Sequence, residues 1–196
     1  MARSFTLTYD YLCPFAHIAN EVVVESIDRG DDLDVRFSPF SLTENSSASS
    51  DRRVWELPPG PGMPSGVLAL LWSLAVRDAQ PERFTGFHRA VFAARHDDGA
   101  DINDPSVLAS IARSVGVDVE RIEQAVASGR PSTKLADEHT SLVEEHGVFG
   151  VPTFISGDEA VFVRFMERHK ASDLDRVLSM IDDPTINEFK RTRIPR

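Results

Sequence analysis

The sequence predicts an α/β fold, in which a small sheet carries helices on its faces and an all-helical segment interrupts the chain between the strands. Apolar residues alternate with polar ones over residues 4–9 and 33–39, and again near 153–163, which is the period of β-strands. Between the second and third of these stretches, apolar residues recur at helical spacing from about residue 66 to 146. A chain of 196 residues is long enough for one domain that carries such an insertion.

The N-terminal segment predicts a βαβ unit. Residues 4–9 form its first strand, and Pro14 fits the first turn of the helix that follows, because a missing N–H costs nothing there. Gly30 ends this helix before the second strand, residues 33–39. Since a helix connects them, the two strands are expected to be parallel. The apolar face of the helix consists of Phe15, Ile18, Ala19, Val22, Val23 and Ile27.

The middle of the chain predicts a loop and then a block of helices. Residues 41–66 are rich in serine, proline and glycine and are expected to form a loop. Val67–Ala79 is apolar nearly all round and predicts the buried helix of the block, and Glu82–Arg95 predicts a second helix with one aromatic face.

Three shorter helices complete the block. The Asn-Asp-Pro of residues 103–105 begins one, and Asp118 is expected to cap another over 119–128. Ser132 or Thr133 is expected to cap the last, which ends at Gly147.

After residue 150 the pattern predicts a β-hairpin and a final helix. Residues 153–155 and 161–163 flank a short turn, and Ser172 opens the helix. With the helical block removed, the order β-α-β…β-β-α is the plan of a thioredoxin-like domain. The prediction assigns residues 1–65 and 147–196 to that domain and residues 66–146 to the helical insertion.

Composition excludes several functions. A net charge of −10 argues against nucleic-acid binding, which needs clustered cations. The single cysteine excludes an intramolecular disulfide and any metal site built from several thiolates. The first residues enter a strand pattern without a signal-peptide core, and the longest apolar stretch, 67–76, is too short to span a bilayer, so we expect a cytoplasmic protein without a membrane partner.

Cys13 lies where the first strand gives way to the first helix. Free N–H groups and the helix dipole favour an anion there, so a reactive thiol with a lowered pKa is expected; a buried structural cysteine is the alternative. His17 follows four residues later on the same helix face and would stabilise the thiolate if protonated. A His17 that faces solvent is the alternative.

The second notable feature is a proline that enters a strand. Pro152 removes one hydrogen-bond donor at the start of residues 153–155. A cis Val151–Pro152 bond would turn the Val151 backbone outward, where it can pair with an incoming thiol ligand. An ordinary trans proline is the commoner arrangement, and the sequence does not decide between the two.

These motifs carry a resemblance to a known family. Cys13-Pro14-Phe15-Ala16 after a first strand, a helical insertion, and then Gly150-Val151-Pro152-Thr153-Phe154 before a hairpin are similar to the DsbA family of thioredoxin-fold proteins. The resemblance implies that Cys13 is the nucleophile and that Pro152 is a cis-proline beside it. The tail 187–193 also resembles the ending of actinobacterial members, including mycothiol-dependent reductases.

One departure from the family changes the predicted chemistry. The family motif is Cys-x-x-Cys, and here Ala16 stands at the second cysteine. An internal thiol therefore cannot resolve a disulfide at Cys13. The resemblance predicts a monothiol oxidoreductase with no tightly bound cofactor, which uses mycothiol or glutathione as cosubstrate and acts on a disulfide or an electrophile.

Two other functions remain open on the same scaffold. One is a thiol-dependent enzyme similar to kappa transferases or chromene-carboxylate isomerases, in which Cys13 positions the bound thiol. The other is a non-catalytic binding module, and a homodimer is possible in each case. The residues predicted for catalysis are Cys13, Pro14, Phe15, Ala16 and His17, and those for substrate binding are Tyr11, Trp72, Val151, Pro152, Thr153, Lys190, Arg191 and Arg193.

The remaining histidines predict structural roles. His88 lies on an aromatic helix stripe and is expected to be a core or cleft histidine with satisfied hydrogen bonds. His96 is expected at a solvated helix end. His139 and His146 lie seven residues apart without a third ligand at suitable spacing, so no metal site is predicted.

Overall fold

In a computed structural model the chain forms a mixed sheet of four strands. The sheet order is β2-β1-β3-β4; β1 and β2 are parallel as predicted, and β3 runs antiparallel to both β1 and β4. The strands are β1 (Arg3–Tyr9), β2 (Leu33–Pro39), β3 (Thr153–Ser156) and β4 (Glu159–Phe162). The structure describes residues 2–46, 52–60, 62–183 and 185.

Eight helices accompany the sheet in the described part of the chain. Six of them lie between β2 and β3, of which the first is short and the other five form the helical insertion. This confirms the predicted α/β class with a helical insertion. No helix in the described ranges has both the length and the apolar character that a membrane span needs. The helices are α1 (Pro14–Asp28), α2 (Leu42–Ser46), α3 (Val67–Ala79), α4 (Pro81–His96), α5 (Pro105–Ser114), α6 (Val119–Ala127), α7 (Arg130–His146) and α8 (Ala171–Asp182).

Helix starts follow the sequence where a side chain caps them. Asp104 accepts a hydrogen bond from the Ser106 N–H at 2.7 Å, and Asp118 accepts one from the Arg121 N–H at 3.1 Å, as the cap of α6 was predicted to do. The predicted starts of two other helices are wrong. Helix α7 begins after Gly129, which has a φ of 76°, and α8 begins after Lys170, whose side chain forms no cap.

The segment predicted as a loop, 41–66, contains the short helix α2 and a 3₁₀ turn at Val54–Glu56. The buried Glu44 carboxylate holds the two together, because it accepts the Val54 N–H at 2.9 Å and pairs with the Arg53 guanidinium at 2.5 Å. A buried carboxylate needs such partners to offset its desolvation. Part of the loop is therefore packed onto the domain.

A buried polar network fastens the helical insertion to the sheet. Arg77 of α3 donates to the Phe37 carbonyl of β2 at 2.8 Å and to the Glu138 carboxylate of α7 at 2.5 Å. Ser38 of β2 donates to the same carboxylate at 2.6 Å. Because breaking a buried charge pair leaves an uncompensated charge, this network fixes where α3 and α7 sit on the sheet.

Gly66 lets the insertion approach the turn that carries Cys13. Its φ is +80°, and a Cβ at this position would lie 2.7 Å from Cγ of Leu12. Only glycine fits both the left-handed backbone and the close contact. The first turn of α3 therefore packs directly against the residue that precedes Cys13.

His88 is a buried core histidine, as predicted. Its Nδ1 lies 2.9 Å from the Tyr11 hydroxyl and its Nε2 lies 2.9 Å from Oδ1 of Asn20. The Asn20 amide nitrogen donates to the Ala16 carbonyl, so Oδ1 accepts from His88 Nε2–H, and Nδ1 accepts from Tyr11. Burial lowers the pKa of His88 to about 3.

This burial predicts a pH-dependent stability. Between the unfolded pKa of about 6.5 and the folded pKa of about 3, the unfolded chain binds a proton at His88 and the native protein does not. The stability that neutral His88 contributes is complete above pH 6.5 and is lost as the pH falls through that window, by up to about 1.4 kcal/mol per pH unit.

Urea unfolding of wild type and His88→Gln at several pH values measures this effect. We expect His88→Gln to be less stable at pH 7 but to lose less stability on acidification. Asp10, whose pKa is raised to about 6 by burial, contributes the opposite slope in both proteins and cancels in the difference. Parallel pH profiles for the two proteins would contradict the assignment.

Candidate active site

Cys13 is the N-cap of α1. Its backbone N–H donates to the Asp10 carbonyl at 3.1 Å, and its Sγ accepts the Ala16 N–H at 3.4 Å. Pro14 occupies the first helical position, where a donor would have no partner. The sulfur therefore faces the free N–H groups at the start of the helix, as the sequence predicted.

The proline motif lies directly beside this sulfur. Cys13 Sγ donates to the Val151 carbonyl at 3.4 Å, and the Val151–Pro152 peptide bond is cis. Thr153 anchors the turn: its N–H donates to Thr8 Oγ1 and its hydroxyl to the Gly150 carbonyl, each at 2.8 Å. Two motifs 138 residues apart in sequence thus form one site.

The Cys13 thiol is less acidic than the sequence predicted. Its side chain sits in the contact between α1 and the Val151 turn with 8% of the residue exposed, and this burial raises the thiol pKa. The N–H groups of Ala16 and Phe15 lower that pKa, but by less than burial raises it. The expected lowered pKa is therefore wrong.

Two charged groups act on the same thiol in opposite directions. Asp10 raises the thiol pKa and the Arg164 guanidinium lowers it. Asp10 is buried, and its carboxylate accepts the N–H groups of Leu12 and Leu42, each at 2.8 Å. It thereby ties the Cys13 turn to the segment that leads into α2.

His17 does not supply the positive charge that a protonated ring would bring to the thiolate. It is buried, and its ring stacks on Phe92 at 5.5 Å and on His96 at 5.0 Å. Burial lowers the pKa of His17, so the imidazole is neutral near pH 7. The solvent-facing alternative is also wrong, because the ring packs against the helical insertion.

His96 is the last residue of α4 and an exposed acidic turn follows it, as predicted, but the His96 ring itself is half-buried. Its ring stacks on His17, and its Nε2 donates to the Tyr11 carbonyl at 2.9 Å. Burial lowers its pKa as well. The end of α4 therefore supports the residue two positions before Cys13.

Two residues predicted to bind substrate belong to the core. The Tyr11 hydroxyl bonds to His88, and Trp72 is buried within α3, so neither side chain is open to a ligand. The sequence does not show which face of each segment points inward. Lys190, Arg191 and Arg193, predicted to hold an anionic substrate, lie outside the described residues.

One group of metal-ligating side chains comes together within the described ranges. The ligand atoms of Glu21, Glu25 and His169 lie within 4.8 Å of one another. Each carboxylate already has a partner, since Arg168 pairs with Glu21 at 2.5 Å and His169 Nδ1 lies 2.6 Å from Glu25. These contacts join α1 to the segment before α8 without a metal ion.

Three residues at the rim of the site were not predicted from the sequence. The Arg164 guanidinium lies over the Phe15 ring at 5.0 Å and the Phe162 ring at 5.7 Å. Phe149 is 65% exposed, and its ring lies 4.9 Å from that of Phe162. The predicted hairpin indicates that Phe162 and the residues after it lie near Pro152. In an antiparallel hairpin the end of the second strand lies beside the start of the first.

Comparison with known proteins identifies the family. The DSBA-like thioredoxin domain model matches residues 6–175. The chain belongs to this DSBA-like family. "Uncharacterized protein YwbO" of Bacillus subtilis (strain 168) is 26% identical over 172 residues, covering 78% of this chain and 86% of that protein.

Solved structures share the fold of this DSBA-like chain. A 2-hydroxychromene-2-carboxylate isomerase matches with a TM-score of 0.64 and 18% identity, covering 92% of this chain and 95% of that one. The thiol-disulfide exchange protein α-DsbA2 from Wolbachia pipientis matches with a TM-score of 0.62 and 17% identity, covering 93% and 81%. The thiol-disulfide oxidoreductase MdbA from Actinomyces oris matches with 0.65 and 16%, covering 91% and 80%.

The raised thiol pKa is testable by alkylation. We expect the rate of iodoacetamide reaction with native Cys13 to have its midpoint above the ordinary thiol pKa of about 8.5, because burial disfavours the thiolate. Asp10→Asn removes a like charge and lowers the midpoint, whereas Asp175→Asn on the exposed face of α8 leaves it unchanged. N-acetylcysteine amide, which has no carboxylate near its thiol, is the reference thiol. A wild-type midpoint at or below that reference contradicts the prediction.

Proposed function

We propose that this DSBA-like protein is a monothiol thiol–disulfide oxidoreductase in which Cys13 is the nucleophile and a low-molecular-weight thiol resolves the adduct. The observation that carries the proposal is the contact between Cys13 Sγ and the Val151 carbonyl, at the start of α1 and beside the cis Pro152 bond. Cys13 is the sole thiol of the sequence, so any disulfide it forms is to another molecule.

The chemistry takes two exchange steps. The Cys13 thiolate attacks one sulfur of a disulfide R–S–S–R; the S–S bond breaks, a Cys13–S–S–R bond forms, and RS⁻ leaves and takes a proton from water. A second thiolate R′S⁻ then attacks the R sulfur of the adduct. This releases R–S–S–R′ and returns Cys13 as a thiolate, so one turn exchanges one half of the disulfide. A second R′S⁻ that attacks the R′ sulfur of R–S–S–R′ releases the other RS⁻ and forms R′–S–S–R′, so two small thiols supply the two electrons of a full reduction.

The acidity of Cys13 favours reduction of substrates over oxidation. A thiol with a high pKa is a poor leaving group, whereas a strong disulfide oxidant has a stabilised thiolate that leaves readily. Because burial raises the Cys13 pKa, Cys13 leaves slowly when the external thiolate attacks the adduct, so we expect resolution to be the slower of the two steps. The thiolate that does form is correspondingly the stronger nucleophile.

The buried thiol also supports a second candidate, a thiol-dependent isomerase or transferase in which Cys13 positions the bound thiol and forms no lasting adduct. The likeness in fold to the 2-hydroxychromene-2-carboxylate isomerase, which covers 95% of that chain, favours this candidate. The two candidates differ in what they require of the sulfur. Nucleophilic exchange needs Sγ, whereas positioning tolerates an oxygen in its place.

Intact mass after incubation with a small disulfide separates these functions. With glutathione disulfide or mycothiol disulfide in excess, we expect one adduct on the native wild type, absent in Cys13→Ser and removed by the free thiol. Far-UV circular dichroism and the melting temperature establish that Cys13→Ser is folded.

Two outcomes would count against the exchange mechanism. If urea-unfolded protein forms the adduct and native protein does not, Cys13 is not an accessible nucleophile. If Cys13→Ser binds the small thiol by calorimetry as tightly as wild type, the isomerase-like function is favoured. Absence of both adduct and thiol binding leaves a non-catalytic binding module.

A further inference from the structure

Arg164 is an exposed cation at the rim of the Cys13 site with no acidic partner among the described residues. Its guanidinium contacts two aromatic rings, those of Phe15 and Phe162. Arg168, four residues later, instead bridges the carboxylates of Glu21 and Asp97. Arg168 is thus neutralised by carboxylates, whereas Arg164 of the same segment is not.

The two rings that hold Arg164 come from the two halves of the site. Phe15 follows Cys13 by two residues in the first turn of α1. Phe162 is the strand partner of Thr153, and its ring lies against Gly150, so it borders the Val151 turn. The guanidinium is therefore held where α1 and the Val151 turn meet, which is also where the sulfur lies.

The guanidinium carbon of Arg164 lies over the two rings, and no hydrogen bond among the described residues uses its N–H donors. These donors lie in the plane of the group, arranged as a fork that matches a carboxylate. A phosphate or carboxylate is the natural ligand of such a fork. Because the protein has a net charge of −10, an unneutralised cation beside the reactive group is a local exception to its overall field.

The charged groups around the site point to Arg164 as the residue that recognises a charged ligand. Asp10 is the acidic group that acts on the thiol, but it is buried and its two oxygens are occupied by the N–H groups of Leu12 and Leu42. His17 and His96 are neutral near pH 7 because burial lowers their pKa values. Of the charges of the described residues that act on the thiol, an incoming ligand therefore meets one that is accessible, the positive charge of Arg164.

The same rim provides apolar surface for the rest of the ligand. Phe149 is exposed and contacts Phe162, whose ring is half-buried beside Arg164. A small molecule with a sulfur, a carboxylate and an intervening carbon chain can contact Cys13, Arg164 and this aromatic surface together. A neutral, strongly hydrated thiol gains nothing from the cation.

We propose that Arg164 selects the cosubstrate by binding its carboxylate while the sulfur of the cosubstrate reaches Cys13. The inference rests on the proposed thiol exchange and narrows its substrate class to carboxylate-bearing thiols and their disulfides. Glutathione, which has free carboxylates, belongs to this class. Mycothiol, which has none, does not.

Three small symmetrical disulfides test the proposal: dithiodipropionate (anionic), bis(2-hydroxyethyl) disulfide (neutral) and cystamine (cationic). The rate of adduct formation on Cys13 is followed by intact mass at low ionic strength, and each rate is divided by that of N-acetylcysteine amide with the same disulfide. For wild type we expect the anionic disulfide to be favoured over the neutral one by about fivefold, and the cationic one to be the slowest.

The variants isolate Arg164 from the overall charge. In Arg164→Gln the anionic and neutral disulfides react at equal normalised rates, and in Arg164→Glu cystamine becomes the fastest. Arg113→Gln, an exposed arginine of α5, removes the same charge elsewhere and keeps the wild-type order. Since Arg164 also lowers the thiol pKa, every disulfide slows in Arg164→Gln, and the ratio between disulfides is the readout.

The outcomes separate this inference from the proposed function. If wild type forms no adduct with any of the three disulfides, the thiol exchange itself fails. If it reacts with all three at equal normalised rates, the exchange stands and the role of Arg164 is overturned. A preference for the anionic disulfide that persists in Arg164→Gln also overturns it.

Discussion

A buried carboxylate determines the geometry of the Cys13 turn, and the rest of the site depends on it. Asp10 accepts the N–H groups of Leu12 and Leu42, while its own carbonyl accepts the N–H of Cys13. These bonds hold the end of β1, the start of α1 and the entry to α2 at one point. The same carboxylate opposes the thiolate, so the group that positions the sulfur also makes it less acidic.

Burial therefore outweighs helix position in setting the chemistry of Cys13. The N-cap position of a helix lowers the pKa of a thiol when the sulfur is in contact with water or with a cation. Here Sγ is enclosed between α1 and the Val151 turn, and only two N–H groups and the charge of Arg164 favour the anion. In the proposed exchange, a ligand whose sulfur approaches Sγ replaces the Val151 carbonyl as the neighbour of Sγ. The thiolate is needed at that stage, because it is the form of Cys13 that reacts with the sulfur of the ligand.

The sequence predicted those features that local periodicity and capping residues determine. The strands, their parallel first pair, helix α3 and the Asp118 cap follow from patterns within a few residues. The starts of α7 and α8 could not be predicted because no side chain caps them. The burial of His17 depends on α4, and Trp72 belongs to the core between helices; these are tertiary contacts that one segment does not reveal.

The packing around Ala16 agrees with the absence of a second cysteine at this position. Ala16 is buried, and its carbonyl accepts the amide of Asn20, whose oxygen in turn accepts His88 Nε2–H. The side chain at position 16 thus has no exposed surface, and its backbone is part of a closed hydrogen-bonded network. In the exchange mechanism that we propose, the resolving thiol comes from outside, past Phe149 and Arg164, because Cys13 is the sole thiol of the sequence. The two proposals together assign selectivity for this second thiol to the rim formed by β4 and its following residues, and catalysis to the start of α1.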